Sequence, residues 1–380
     1  VSELHKKIID KLKSADWTLA QSSSRGHLSS LHPYPARFIP QIPDKIINLV
    51  GSDKKINILD PFAGCGTTLV EGLRAGHNVA GIDINGVSVL LQQVYTQQYE
   101  KIDLDSYFYT IKNIEEHIKN PFKKQVFREI PNIDHWFNND TKEIIFNVLS
   151  YLEKCTIKDS VRNLVKFSVS RVLVKISNQQ SDTQYRSVDK KLSRAQIIDI
   201  LVNSFKSVGN EFQNKNIKSS GNVVINMGDS RKIASYKGIH DVDLIITSPP
   251  YPNAYEYWLY HKYRMYFLDF DPIWSRTHEI GARPHYSGNG KLDESDFKRD
   301  ITEVLANIYT VTNKDAMQFW VVGDSIIKGR RINNSQLITE ACKETGWRVQ
   351  EIVERTMLRR KASFQGIGRQ IKEDILFITR

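Results

Sequence analysis

The sequence predicts an α/β fold, a sheet of the nucleotide-binding βαβ kind interrupted by a helical insertion. Three observations predict it. Residues 242–247 (VDLIIT) are a run of β-formers without a turn residue, as expected of a strand buried on both faces. Residues 55–60 (KINILD) repeat that design upstream, followed by a glycine-containing turn, a short helix and a second strand, 78–83 (NVAGID), that ends on an acid. Between about 99 and 217 the alternation stops and helical spacing takes over.

The 380 residues suffice for a large core and for two or three domains. Hydrophobic residues at 40% and charged residues at 25% are ordinary for a soluble globular chain, whereas the net charge of +10 fits a polyanionic partner such as nucleic acid. Cys65, Cys155 and Cys342 stand far apart with no C-x-x-C pair, which argues against a zinc knuckle or a disulfide framework and for a cytoplasmic chain. No metal site is expected. No apolar run reaches the roughly 18 residues of a membrane span, and no signal-peptide pattern is present.

Residues 3–19 carry Leu4, Ile8, Ile9, Leu12 and Ala15 at helical spacing. A polar link follows, then residues 31–40, where prolines interleave with aromatics and Arg37; this stretch cannot be regular helix and reads as an extended arm of fixed shape. Residues 42–50 form a helix leading into the strand 55–60. In the turn 61–68 (PFAGCGTT), Gly64 and Gly66 let the backbone approach a ligand, and the acids Asp60 and Asp83 frame it from two strand ends. The third glycine and the lysine of phosphate-binding loops are missing. A ligand with an adenosine but no phosphates fits, and S-adenosylmethionine is such a ligand.

In the interval after residue 99, helices are expected at 104–118, 141–154, 160–176 and 193–212, with a polar break at 177–182. Lys166, Arg171, Lys175, Arg186, Lys190, Lys191 and Arg194 make its second half basic, a surface suited to a duplex or simply to solvent. Residues 222–227 restore the strand pattern and end at Asp229, again an acid where a strand runs out. The strand 242–247 then stops at Ser248, because Pro249 and Pro250 cannot continue it inside a sheet. Ligands of open α/β sheets bind beyond the carboxyl ends of strands, so the rigid tetrapeptide of Ser248, Pro249, Pro250 and Tyr251 marks a reaction site that should meet the glycine turn. Residues 269–299, with Arg276, His278, Arg283 and His285, read as a long functional loop. A helix at 297–313, a strand at 319–323, a helix at 335–345 and strands at 347–356 and 373–379 complete the chain. Between the last two strands, the basic loop with Arg359, Arg360, Lys361 and Arg369 suits phosphate contacts.

Residues 60–68 (DPFAGCGTT) together with 247–251 (TSPPY) resemble the two signatures of S-adenosylmethionine-dependent DNA amino-methyltransferases, the cytosine-N4 and adenine-N6 enzymes of restriction-modification type. The resemblance covers the arm, residues 55–85, 223–251 and 319–325. It implies a Rossmann-like, seven-stranded mixed methyltransferase sheet with a variable target-recognition region. It also implies a cofactor site of Phe38, Asp60, Phe62, Gly64, Gly66, Thr67, Asp83 and Asp229, with the arm closing over the methionine end. Residues 1–99 would be the arm and cofactor half, 100–217 the insertion that reads DNA, and 218–380 the catalytic half with DNA-contacting loops. Arg186, Arg283, Arg359, Arg360, Lys361 and Arg369 are the candidate contacts to double-stranded DNA. Such a protein is cytoplasmic, of bacterial or phage type, and a cognate restriction endonuclease is its implied companion.

An aryl amine is a weak nucleophile because its lone pair is delocalised into the ring. The Ser248 hydroxyl and the Pro249 carbonyl can each take one N–H and turn the lone pair toward the methyl donor, while Tyr251 stacks on a base that has left the duplex. Serine at the head of the tetrapeptide resembles the cytosine-N4 branch; Asp or Asn is commoner in the adenine-N6 branch. An RNA amino-methyltransferase and a catalytically silent nucleic-acid binder are the other readings. C5 methylation is rejected, since none of the three cysteines follows a proline.

Overall fold

The computed structural model describes residues 3–19, 26–51, 54–119, 129–182, 184–253, 255–287, 290–357 and 371–380. Helices α1 (Glu3–Ser14) and α2 (Gln41–Val50) precede the first strand. Helix α1 is shorter than its spacing predicts, and Trp17 folds back beyond its end to donate its indole N–H to Leu12 O at 2.8 Å. Strand β1 (Asn57–Asp60), helix α3 (Thr67–Arg74) and strand β2 (Asn78–Asp83) form the expected βαβ unit. Helix α4 (Gly86–Thr96), capped by the Asn85 side chain on Val87 N, was not anticipated. Ten of its residues are buried, so it has no polar face to mark a helical period.

The insertion contains α5 (Lys101–Lys119), α6 (Ile133–Trp136), α7 (Asn139–Lys154), α8 (Asp159–Ile176) and, after a hairpin, α9 (Arg194–Lys215). The four long helices agree with the helical spacing. The polar break is in part a β-hairpin, β3 (Gln179–Ser181) with β4 (Gln184–Ser187), too short and too exposed to show an apolar alternation. Several of its basic residues also hold the insertion together. Arg194 donates to Ile118 O and Glu143, Lys190 to Val174 O, and Arg171 to Ser207.

Strands β5 (Val223–Met227) and β6 (Val242–Thr247) follow. The stretch expected as a long loop is instead helical: after α10 (Tyr257–Phe267) come α11 (Pro272–His278) and α12 (Arg283–Tyr286), then α13 (Glu294–Val311). Asp271 accepts from Ile273 N and Trp274 N, and Pro272 takes the first helical position, which is what starts α11. Strand β7 (Thr312–Gly323), the hairpin of β8 (Ser325–Ile327) and β9 (Arg330–Ile332), helix α14 (Asn334–Glu344), and strands β10 (Arg348–Met357) and β11 (Ile371–Thr379) end the chain.

The seven-stranded sheet runs β10-β11-β7-β6-β1-β2-β5. The five strands from β7 to β5 are mutually parallel, and β11 alone runs against its neighbours β7 and β10. From β1 the chain steps outward to β2 and β5, then returns to the other side of β1 as β6. The ends of β1 and β6 therefore flank the switch point, where open α/β sheets leave a crevice. Leu244 and Ile246 of β6 face one apolar cluster with α1–α5 and the insertion helices, and Ile245 faces the other with α13 and α14. All three are fully buried, each stabilising the fold by roughly 1.5–3 kcal/mol.

Candidate active site

The two signature stretches meet. Strands β1 and β6 pair in parallel with Ile58 opposite Leu244, so Asp60 and Thr247 finish side by side. Thr247 Oγ1 donates to Asp60 Oδ1 at 2.6 Å, and Phe62 N donates to the same oxygen at 3.1 Å. Thr68 Oγ1 reaches across to Ile246 O. Burial pushes the Asp60 carboxyl up to about 6, against the pull of the Thr247 and Thr68 hydroxyls.

The glycine turn is built around left-handed backbone. Gly64 has φ +51° and Gly66 φ +84°, and a Cβ on Gly66 would lie 3.0 Å from Gln92 Cγ. Gln92 Nε2 donates to Gly64 O at 3.0 Å. Asp83 ties the loop to β2, since Gly64 N donates to its Oδ2 and Asn85 N to its Oδ1, both at 2.8 Å. Burial raises this carboxyl also to about 6.

A cleft with about 860 Å³ of empty space, open solvent included, lies over these strand ends. Phe38, Asp60, Phe62, Gly64, Thr67, Asp83, Asp229, Ser248 and Pro250 all line it, whereas Gly66, Pro249 and Tyr251 do not. The arm forms one wall through Tyr34, Ala36 and Phe38. Tyr34 hydrogen-bonds Ser88 Oγ at 2.9 Å and stacks on Tyr257 and His261 of α10, while His32 Nε2 meets Ser170 Oγ of α8 at 2.9 Å. Asp229 is held by Arg231, whose Nε and Nη2 reach it at 2.8–3.1 Å and whose Nη1 bonds Asp300 at 2.9 Å.

Glu279 is a cavity residue that the sequence reading missed. It lies one residue past α11, buried, and accepts from Tyr257 N and Trp258 N, both at 2.9 Å, at the start of α10. Burial pushes its carboxyl up to about 8. The Asp271-Pro272 helix start is the signal that would have converted the supposed loop into a helix and drawn notice to the acid at its end.

The proline turn is braced from behind. Ser248 lines the cavity, and its Oγ lies 3.4 Å from the Tyr251 hydroxyl. That hydroxyl is 3.2 Å from Val321 O and 3.4 Å from Glu373 Oε1, and the Tyr251 ring rests on Gly323. Asn253 N donates to Gly281 O and Asn253 Nδ2 to Ile326 O, which fixes the chain leaving the turn. Of the candidate DNA contacts, Arg186 on β4 and Arg283 at the head of α12 are exposed. Arg359, Arg360, Lys361 and Arg369 lie outside the described residues.

The cavity suits S-adenosylmethionine. Among the described residues its lining includes four acidic side chains and neither lysine nor arginine, and although Asp229 is already paired with Arg231, the acidic wall suits a ligand that carries sulfonium and ammonium charges and no phosphate. Among the described residues no cluster suited to a metal ion occurs, and no helix is long and apolar enough to cross a membrane.

A family model described as DNA methylase, of the N6/N4 methyltransferase kind, matches residues 5–90. Type II methyltransferase M.MjaII of Methanocaldococcus jannaschii is 23% identical over 406 residues, covering 81% of this chain and 75% of that protein. Type II methyltransferase M.MvaI of Kocuria varians is 26% identical over 366 residues, covering 86% and 78%. An rRNA methyltransferase of Streptomyces viridochromogenes covers 94% of this chain and 93% of its own at 12% identity, with a TM-score of 0.34, too loose a likeness to bear on function. These matches support an S-adenosylmethionine-dependent amino-methyltransferase of restriction-modification type.

Proposed function

We propose that the enzyme methylates the exocyclic N4 amino group of a cytosine turned out of duplex DNA. The observation that carries this reading is the placement of Ser248, just past the end of β6 and on the wall of the same cavity that the residues assigned to the methyl donor line. S-adenosylmethionine supplies an electrophilic methyl group on a sulfonium. Every remaining task falls to the chain. Phe38, Asp60, Phe62, Gly64, Gly66, Thr67, Asp83 and Asp229 are assigned to binding the donor, with Asp83 taking the ribose hydroxyls. Ser248 Oγ and the Pro249 carbonyl are assigned to the two amine protons, orienting the lone pair toward the cavity; two prolines hold these acceptors still and bring no N–H to compete for them. Pro250 lines the wall, and the half-buried Tyr251 is the proposed stacking partner of the base.

Serine in place of Asp or Asn at the head of the turn favours cytosine over adenine. The insertion, residues 100–217, is the proposed reader of sequence, with Arg186, Arg283, Arg359, Arg360, Lys361 and Arg369 as phosphate contacts. A restriction endonuclease of the same specificity is the proposed companion.

The test incubates the protein with methyl-labelled S-adenosylmethionine and unmethylated genomic DNA, digests the DNA to nucleosides and identifies the labelled one by mass. Label in N4-methylcytosine is expected. Label in N6-methyladenine would replace the base, and label found only when RNA is supplied would replace the substrate.

A further inference from the structure

Behind Tyr251 sits an ion pair, its arginine buried and its glutamate partly so, that neither cofactor binding nor the orientation of the amine requires. Glu373 of β11 and Arg355 of β10 face each other across the antiparallel pair, with Arg355 Nε 3.6 Å from Glu373 Oε2. The Arg355 side chain is 1% exposed and that of Glu373 15%. The other carboxylate oxygen, Oε1, lies 3.4 Å from the Tyr251 hydroxyl, which in turn lies 3.4 Å from Ser248 Oγ. Keeping a charged Arg355 here is costly, since the pair is 3.6 Å apart and the Arg355 Nε and Nη1 find no hydrogen-bond partner among the described residues.

We infer that Glu373 is the final proton acceptor of the transfer step, reached from the reacting amine through the hydroxyls of Ser248 and Tyr251. The inference rests on the reading of Ser248 as the acceptor of an amine proton. The hydrogen-bond directions are consistent along the chain. If Ser248 Oγ accepts from the amine, its own hydrogen is free to donate to the Tyr251 oxygen, and the Tyr251 hydrogen to Glu373. Val321 O, at 3.2 Å, is the competing resting partner of that phenol, but a backbone carbonyl cannot take up a proton and a carboxylate can.

In the balanced step, the nitrogen lone pair forms the new N–CH3 bond and the pair of the broken S–CH3 bond remains on sulfur. The methylated nitrogen, now positively charged, releases one proton to Ser248 Oγ while Ser248 passes its own to Tyr251 and Tyr251 passes its own to Glu373. The products are a neutral methylamine, a thioether and a protonated Glu373, which solvent later relieves. Among the described residues, the charged group facing Glu373 is Arg355. Its partner on β7 is Gly323, and its strand neighbours Lys372 and Asp374 alternate to the other face, bound to Glu354 and Ser335. Burial raises the Glu373 carboxyl above the ordinary glutamate range, offset in part by Arg355 and the Tyr251 hydrogen bond, which makes it a better base than a solvated carboxylate.

The experiment compares the wild-type protein with Tyr251→Phe and Glu373→Gln in two measurements. Single-turnover methylation of DNA is followed against pH, with S-adenosylmethionine affinity measured in parallel. The carboxyl C=O infrared band of the cofactor-free proteins is titrated separately. The wild-type rate is expected to fall as pH drops through the raised carboxyl pKa. Both variants are expected to transfer roughly 10²-fold more slowly, the size of a lost general base, and to lose that inflection while binding the cofactor within about twofold of wild type. In the infrared titration one band should vanish in Glu373→Gln and shift its midpoint in Tyr251→Phe. Because Glu373→Gln leaves Arg355 buried without its partner and can fail to fold, Tyr251→Phe is decisive. A wild-type rate and pH profile in Tyr251→Phe, or an unmoved infrared midpoint, overturns the relay while leaving the proposed function intact. A wild-type protein that labels no DNA overturns both.

Discussion

Two turns leave adjacent strands of the same sheet, and they are held in opposite ways. The turn after β1 is fixed locally. Gly64 and Gly66 take left-handed backbone, and Asp83, Asn85 and Gln92, all within 30 residues, supply its bonds. The turn after β6 owes its stiffness to two prolines, but its position comes from far along the chain: Val321 and Glu373 hold Tyr251, and Ile326 holds Asn253. On the proposed reading the first turn shapes the donor pocket, and the second presents oxygens to the substrate. A pocket can be organised by its own glycines and a neighbouring acid. Acceptors that must be held to a fraction of an ångström need the rigid edge of the sheet behind them.

Substitutions should separate the two turns. Ser248→Ala removes an acceptor from the reacting amine and is expected to slow methyl transfer by roughly 10²–10³-fold, the scale of a lost oriented hydrogen bond at a reaction centre. Cofactor affinity measured by calorimetry should stay within about twofold of wild type; a parallel loss would show the turns to be one unit. Asp83→Ala acts on the other turn. It removes the partner of Gly64 N and is expected to weaken S-adenosylmethionine binding by roughly 10–100-fold, the equivalent of about 1.5–3 kcal/mol for a charged hydrogen bond. Unchanged affinity would take Asp83 out of the site.

A smaller effect is expected from Gly66→Ala, which forces a side chain into φ +84° and against Gln92, costing about 1–2 kcal/mol in urea unfolding. A variant as stable as wild type would mean that the loop has another conformation to adopt.

The smallest expected effect is that of pH on the acids of the pocket. Asp60 and Asp83 titrate near 6 and Glu279 near 8 in the folded protein, against 3.8 and 4.5 for the free groups. Between about pH 4 and 8 the unfolded chain has released protons that the folded chain still holds, so stability without cofactor should fall as pH rises through that window. A ligand with a sulfonium charge favours the ionised carboxylates, so its affinity should rise over the same range. Thermal unfolding with and without S-adenosylmethionine at pH 5 and pH 8 measures the gap, which should widen at pH 8; a constant gap would remove these acids from contact with the ligand's charge.

Much of the pocket was legible because its signals are local. The run NVAGID coincides with β2, the strand before the prolines ends at Thr247, and Asp60, Asp83 and Asp229 all reach the cavity. Helix α4 and Glu279 were missed for different reasons. The helix is buried all round and shows no period, and the acid follows a helix whose start at Asp271 and Pro272 was read as turn chemistry. The charges of Arg194 and Lys190 read as a surface for a duplex or for solvent and also serve as partners of helix-end carbonyls, since sequence shows a charge but not what it faces.

By itself the sequence determined where strands end and what chemistry stands there, because prolines, glycines and acids at strand ends act through the backbone of their own neighbourhood. Only the tertiary structure decided that Tyr251 leans on Gly323, that Glu373 and Arg355 lie behind it, and that the arm closes the pocket through Tyr34. Those contacts join residues up to 122 positions apart, and no local pattern encodes a partner that only sheet order brings near.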